Sequence, residues 1–204
     1  MSDDAVTALR AGQLVVLPTD TVYGLCADGY REAPFRRLAA LKGRPEGMPA
    51  ALLAVDLDAI LDAVPEARGV RAVAARALLP GPFTLVLPNP ARRFRWLCGS
   101  RPETIGVRVP DLPAVAREVV ERVGVVASTS ANLHGGPDPA RLEDVPRELL
   151  DGCGALVDGG ELPGTPSTVV DLTGPEAVVV REGAVSASEA LARADAAMAG
   201  RPAG

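Results

Sequence analysis

The sequence predicts an α/β layered domain whose sheet is mixed. Short apolar runs bounded by Gly and Pro alternate with stretches whose apolar residues recur at helical spacing, and this alternation is the signature of the class. Two late strand candidates, 168–172 and 177–180, are joined by a turn at Gly174-Pro175. That link is too short to hold a crossover helix, so at least one strand pair is antiparallel. The length agrees: 204 residues, 48% of them apolar, make one domain able to bury roughly 70% of its unfolded surface.

Taken in order, Asp3 or Asp4 caps a short helix with Val6 and Leu9 on one face, and Gly12 stops it. Leu14, Val15, Val16 and Leu17 form a continuous apolar run before Pro18, as a strand covered on both faces requires. A helix is expected over 31–41, where Phe35, Leu38 and Leu41 recur at helical spacing. A strand over 51–55 precedes Asp56, the cap of a third helix carrying Leu57, Ile60, Leu61 and Val64. The fourth helix, 70–79, closes at Pro80-Gly81-Pro82. Strands follow over 83–87 and 105–109, then an amphipathic helix over 112–123 with Val115, Val119 and Val123 in one stripe. Val125, Val126 and Ala127 lead into Ser128, and the last three strands are expected over 155–157, 168–172 and 177–180. Ser186 and Glu189 have capping-box spacing for the final helix, and residues 196–204 read as a frayed Ala/Gly/Pro-rich tail.

Composition excludes several function classes. A mean hydropathy of +0.17 with a net charge of −5 is not that of a disordered chain. No apolar run approaches the ~18 residues of a membrane span, and Met1-Ser2-Asp3-Asp4 lacks the apolar core of a secretory signal. Cys26, Cys98 and Cys153 are odd in number and widely spaced, so they form neither a disulfide framework nor a metal site, and they point to a reducing cytoplasm. With 21 Lys+Arg against 26 Asp+Glu, the chain lacks the basic balance of most nucleic-acid binders. Arg92, Arg93, Arg95 and Arg101 around Trp96 make its one dense basic cluster, read as a surface loop. A single histidine, His134, cannot supply a histidine metal triad, and no Walker A or G-x-G-x-x-G sequence occurs.

Ligands of open α/β sheets bind beyond the carboxyl ends of strands, and polar residues gather at four such places. The first is Thr19-Asp20-Thr21 with Tyr23-Gly24, either a turn satisfied by its own hydroxyls or a ligand loop. Lys42-Gly43-Arg44-Pro45 leaves a helix, so its cations either complement the helix dipole or grip phosphate. Ser128, Thr129, Ser130 and Asn132 end a strand and can cap it or donate to phosphate oxygens. There is no G-x-S-x-G elbow, and a Ser-His-Asp hydrolase would have to use His134. The fourth group is dispersed: Thr104 and Arg108 face one side of a strand, with Ser167 and Arg181 further on. Buried Arg108 and Arg181 need anionic partners, either internal carboxylates or a bound anion.

Seven ordered blocks together resemble the YrdC/Sua5 family, the threonylcarbamoyl-AMP synthases. They are Pro18-Thr19-Asp20-Thr21-Val22-Tyr23-Gly24-Leu25, Lys42-Gly43-Arg44-Pro45, Pro80-Gly81-Pro82-Phe83-Thr84 and Ile105-Gly106-Val107-Arg108-Val109-Pro110. Ser128-Thr129-Ser130-Ala131-Asn132, Pro166-Ser167-Thr168-Val169-Val170-Asp171 and Val180-Arg181-Glu182-Gly183 complete the series. The resemblance implies an open, twisted, mixed sheet with flanking helices around a concave basic cavity. It implies a catalytic domain over 1–190 in the short, TsaC-type form, with 191–204 as helix end and tail.

The implied activity is a nucleotidyltransferase's: L-threonine, bicarbonate and ATP give L-threonylcarbamoyladenylate and pyrophosphate. Partner transferases then carry the group to adenosine 37 of tRNA. Residue by residue, the resemblance places Thr19, Arg108 and Ser167 at threonine, and Lys42, Arg44, Thr104, Ser128, Ser130, Asn132 and Arg181 at ATP, with Lys42 and Arg44 catalytic. Mg2+ would arrive on the ATP phosphates, and no protein metal site is implied. One departure stands out: Met48-Pro49-Ala50 lies where the family usually has Lys or His before Pro-Leu, which removes a cation. Two other readings are a double-stranded RNA or tRNA-binding translation accessory without turnover, and a carbamoyl transferase of the HypF type. The second would bring zinc-finger-like Cys repeats, which the sequence lacks.

Overall fold

In a computed structural model of the chain, residues 2–68 and 70–199 are described. The apolar runs pair into one nine-stranded sheet in the order β7-β1-β2-β6-β3-β5-β4-β8-β9. Its strands are β1 (Leu14–Leu17), β2 (Gly24–Asp28), β3 (Ala51–Leu53), β4 (Phe83–Pro88), β5 (Thr104–Arg108), β6 (Val126–Ser130), β7 (Cys153–Leu156), β8 (Thr168–Asp171) and β9 (Val178–Arg181). The helices are α1 (Ser2–Arg10), α2 (Glu32–Leu41), α3 (Leu57–Ala63), α4 (Val70–Leu78), α5 (Ala114–Val123), α6 (Arg147–Asp151) and α7 (Ala187–Ala199). The sheet is mixed, with β1/β7, β3/β5 and β4/β8 parallel and the other neighbours antiparallel. The pair joined through Gly174-Pro175, β8 and β9, is antiparallel as expected.

Several boundaries differ from the sequence reading, each for a local reason. Asp3 and Asp4 lie inside the first turn of α1, where their charge complements the helix dipole, and do not precede it. Asp56 does cap α3, its Oδ1 accepting from the Ala59 N–H at 2.7 Å. Ser186 Oγ accepts from the Glu189 N–H at 3.3 Å, but the Glu189 carboxylate pairs with Arg193, so half of the capping box forms. β2 was not anticipated, because it follows directly on a run of turn-forming residues. The helix expected to fray from residue 196 continues to Ala199, and 200–204 lie outside the described residues.

Strand alternation divides the side chains between two faces, and the helices cover them unequally. On one face Val16, Leu25, Leu52, Leu85, Val107 and Val170 pack against α2, α3, α4 and α7 along the whole sheet. On the other, Val15, Leu17, Cys26, Leu53 and Val126 meet Val6, Leu9, Val119 and Val120 of α1 and α5. Each large side chain fully buried this way contributes ~1.5–3 kcal/mol. This second helical layer covers only the β7–β3 part of the sheet. Past Val126 on β6, the same face continues as Ser128 and Ser130. There the sheet face is open.

Candidate functional site

The open half of the sheet floors a concave cavity of about 590 Å³. Alternate residues of four strands form its floor: Thr84 and Val86 on β4, Thr104, Gly106 and Arg108 on β5, Ser128 and Ser130 on β6, Val169 and Asp171 on β8. The loop after α2 supplies Lys42, Arg44 and Met48 to its wall, and Asn132, Ser167 and Arg181 complete it. Nine of the ten residues assigned from sequence therefore converge here. Thr19 does not line the cavity.

Thr19 organises a turn instead. Its Oγ1 accepts from the Thr21 and Val22 N–H groups and meets Thr21 Oγ1 at 3.0 Å and Val22 O at 2.7 Å. The payoff lies in its neighbours. Asp20 Oδ1 and Thr21 Oγ1 accept from Arg108 Nη2 at 2.9 and 3.0 Å, so the anionic partner required by buried Arg108 is internal. Burial raises the Asp20 carboxyl, against the pull of Arg108 and of the Asp111 N–H on Oδ2. Arg108 Nε is buried without a hydrogen-bond partner. Tyr23, from the same block, is buried away from the cavity and donates from Oη to Asp158 Oδ1 and Gly160 O.

Lys42 caps the C-terminus of α2 but is no surface cation: it is 4% exposed. Its ammonium donates to Ser130 O at 2.6 Å, Asn132 O at 2.6 Å and Asn132 Oδ1 at 2.5 Å, which uses all three of its protons. Burial pushes its pKa down to about 8, nearby Arg44 adds to the fall and Asp138 opposes it. Ser130 Oγ donates to the same Asn132 Oδ1 at 2.7 Å, and Asn132 Nδ2 to Gly136 O at 2.6 Å. Lys42 thus locks the end of β6 in place while contributing its charge to the cavity. Arg44 bonds the Pro49 carbonyl through Nη2, and its buried Nε has no partner.

On the β8 side, Arg181 Nη2 donates to Ser167 O at 2.7 Å and Ser167 Oγ at 3.3 Å, and Thr84 Oγ1 meets Ser167 Oγ at 2.8 Å. Thr104 spends its hydroxyl on the Arg101 carbonyl at 3.0 Å. Met48, 37% exposed, stands on the cavity wall without charge. Arg101, His134, Asp138 and Asp171 also line the cavity and were not singled out there from sequence. Asp171 had a signal, since it ends a strand in phase with Val169. Burial raises the thiols of Cys26 to about 11 and Cys153 to about 12, and raises that of Cys98. Among the described residues no three His, Cys, Asp or Glu side chains gather as a metal site.

An α/β sheet half covered by helices, its bare half studded with cations, hydroxyls and amides, defines a protein whose cavity has the chemistry to receive an anionic ligand. The chain belongs to the Sua5/YciO/YrdC family, whose model, described as telomere recombination, matches residues 7–183. A Mycobacterium tuberculosis relative is 38% identical over 186 residues, covering 89% of this chain and 83% of its own length. The threonylcarbamoyl-AMP synthase of Stenotrophomonas maltophilia is 38% identical over 162 residues, 77% of this chain and 85% of that one. Among solved structures, Pyrococcus abyssi Sua5 complexed with L-threonine superposes with a TM-score of 0.83 at 32% identity, over 92% of this chain and 55% of that longer one.

Proposed function

We infer that this chain is an L-threonylcarbamoyladenylate synthase, a nucleotidyltransferase using L-threonine, bicarbonate and ATP and releasing pyrophosphate. One observation carries the reading: the cavity converges cations with hydroxyl and amide donors, in a chain whose relatives bear that activity's name. The chemistry asks for that composition. The threonine amine adds to the bicarbonate carbon and water leaves, giving a carbamate. A carbamate oxygen then displaces pyrophosphate from the α-phosphorus of ATP. Both steps gain most from holding reactants together and from fixed positive charge where negative charge develops.

In this reading Lys42 and Arg44 stabilise the triphosphate charge, and Ser128, Ser130, Asn132, Thr104 and Arg181 position the nucleotide. Arg108 and Ser167 hold L-threonine, and Thr19 serves through the turn that presents Asp20 and Thr21 to Arg108. Mg2+ carried on the ATP phosphates would supply further charge compensation, and the Asp138 carboxylate on the cavity wall is compatible with it. The product feeds a transferase acting on adenosine 37 of tRNA, in the cytoplasm; among the described residues no helix is long and apolar enough to cross a membrane. The test is pyrophosphate release with threonine, bicarbonate and ATP omitted in turn. Release only when all three are present supports the assignment. Equal turnover without an amino acid, or salt-sensitive RNA binding with no turnover, overturns it.

A further inference from the structure

Arg101 and Asp171 form an ion pair inside the cavity that the roles above leave unused. Arg101 Nη1 donates to Asp171 Oδ2 at 3.2 Å, with Glu103 4.0 Å from its Nε. Asp171 is the more enclosed, its side chain 16% exposed against 54% for Arg101. Both partners are held from behind. Asp171 Oδ1 accepts from the Thr173 N–H at 2.8 Å and Thr173 Oγ1 at 2.6 Å, which fills that oxygen and leaves a lone pair on Oδ2. The Arg101 carbonyl accepts from both the N–H and the hydroxyl of Thr104, while its guanidinium keeps donors unspent.

Their place in the sheet says which part of a nucleotide they meet. Strand register puts Asp171, Val86, Gly106, Ala51 and Ser128 in one row across β8, β4, β5, β3 and β6. Four strand intervals span about 19 Å, too far for this pair and the Lys42 group to share one triphosphate. A nucleotide lying along the row, phosphates at Lys42 and Ser130, brings its base to Asp171. Gly106 keeps the middle of the row low, and Val86, Val169 and Val180 give the far end an apolar wall.

We propose that the Arg101–Asp171 pair reads the nucleobase and selects a 6-aminopurine over a 6-oxopurine. The inference rests on the synthase reading for its nucleotide and extends it to base choice. A guanidinium donor beside a carboxylate acceptor complements the ring-nitrogen acceptor and exocyclic amine of adenine. Guanine places a carbonyl oxygen where the amine would be, against the Asp171 carboxylate, so recognition and rejection come from one group.

The experiment compares ATP and GTP with the intact chain, both as threonine-dependent pyrophosphate release and as binding by titration calorimetry without threonine. The wild type is expected to prefer ATP. Asp171→Asn, whose amide can turn its NH2 toward the guanine oxygen, is expected to narrow the ATP:GTP ratio by about tenfold. Arg101→Gln, on an exposed side chain whose loss leaves folding intact, is expected to narrow it likewise while the KM for threonine stays fixed. A ratio unchanged in both variants, or equal losses for both nucleotides, overturns the proposal. Wild-type protein that discriminates ATP from GTP in calorimetry yet releases no pyrophosphate would sink the synthase reading and leave the base reading standing.

Discussion

Lys42 illustrates how one side chain can be both a ligand-facing charge and a structural tie. Lys42-Gly43-Arg44-Pro45 leaves a helix, and substitution of a surface side chain in such a segment ordinarily costs little stability. Burial with three acceptors changes that expectation. Lys42→Ala removes the charged donor from the Ser130 and Asn132 carbonyls and from Asn132 Oδ1, and hydrogen bonds to a charged group contribute ~1.5–3 kcal/mol, although Ser130 O and Asn132 Oδ1 keep the Thr129 and Ser130 hydroxyls as donors. The variant should therefore unfold at lower denaturant as well as lose turnover. Arg44→Ala, which bonds one carbonyl, should lose turnover with a smaller stability cost. The pH dependence separates charge from tie. Because the folded-state pKa is lowered from 10.5 to about 8, the ammonium is largely charged a unit below that value, half charged at it, and lost as pH rises further. The ratio kcat/KM for ATP, which reports the free enzyme, should be flat well below about pH 8 and fall as pH rises through it. Residual activity of Lys42→Met should lack that alkaline limb; an identical limb in both pH profiles would assign it to another group.

At the scale of elements, what was legible in the sequence was whatever a local pattern determines. Continuous apolar runs gave β1, β4 and β6, helical spacing gave α2, α3 and α5, and the Gly174-Pro175 link gave the β8/β9 hairpin. β2 and α6 were not legible: the apolar run of Gly24–Asp28 is only the three residues Leu25-Cys26-Ala27, and the five residues of α6 are too few to establish a period. The site residues found from sequence were those in the quoted blocks, together with Thr104 just before one of them. Arg101 was set aside with a basic cluster because nothing local says that its loop folds back over β5. Gly99 is what permits that return. It has φ +62, and a Cβ there would lie 2.4 Å from Gly47 O and 2.8 Å from Pro49 N, the backbone that carries Met48. The two loops are stitched by Ser100 N–H to Gly47 O at 3.0 Å and Ala50 N–H to Leu97 O at 2.9 Å. Gly99→Ala must separate them, at a cost of ~1–3 kcal/mol for a strained non-glycine backbone. We expect a raised KM for ATP with a retained far-ultraviolet circular dichroism spectrum; unaltered kinetics would mean that the loops are independent.

For the molecule as a whole, function follows from unequal coverage of one sheet. Helices α2, α3, α4 and α7 complete one face, α1 and α5 half of the other, and the uncovered half must carry polar side chains. Four of those side chains are cations: Lys42, Arg44, Arg108 and Arg181 line one cavity, and among the described residues only Arg108 of these four has a carboxylate within salt-bridge distance. This clustering of positive charge is an electrostatic liability that an anion relieves, and ligand binding should stabilise the fold beyond simple contact formation. The minimum follows from mass action. At a ligand concentration of one hundred times Kd the folded state gains about 2.7 kcal/mol. With an unfolding entropy of about 2.1 cal/mol/K per residue, a chain of 204 residues should melt about 6 °C higher. Thermal melts with ATP, pyrophosphate, and ATP plus L-threonine check this, at low and at high salt. The shift should be largest at low ionic strength, since added salt screens the same repulsion that the anion relieves. A melting temperature indifferent to ATP at saturating concentration would mean that the cations are neutralised within the fold, and that the bare half of the sheet binds something other than a nucleotide.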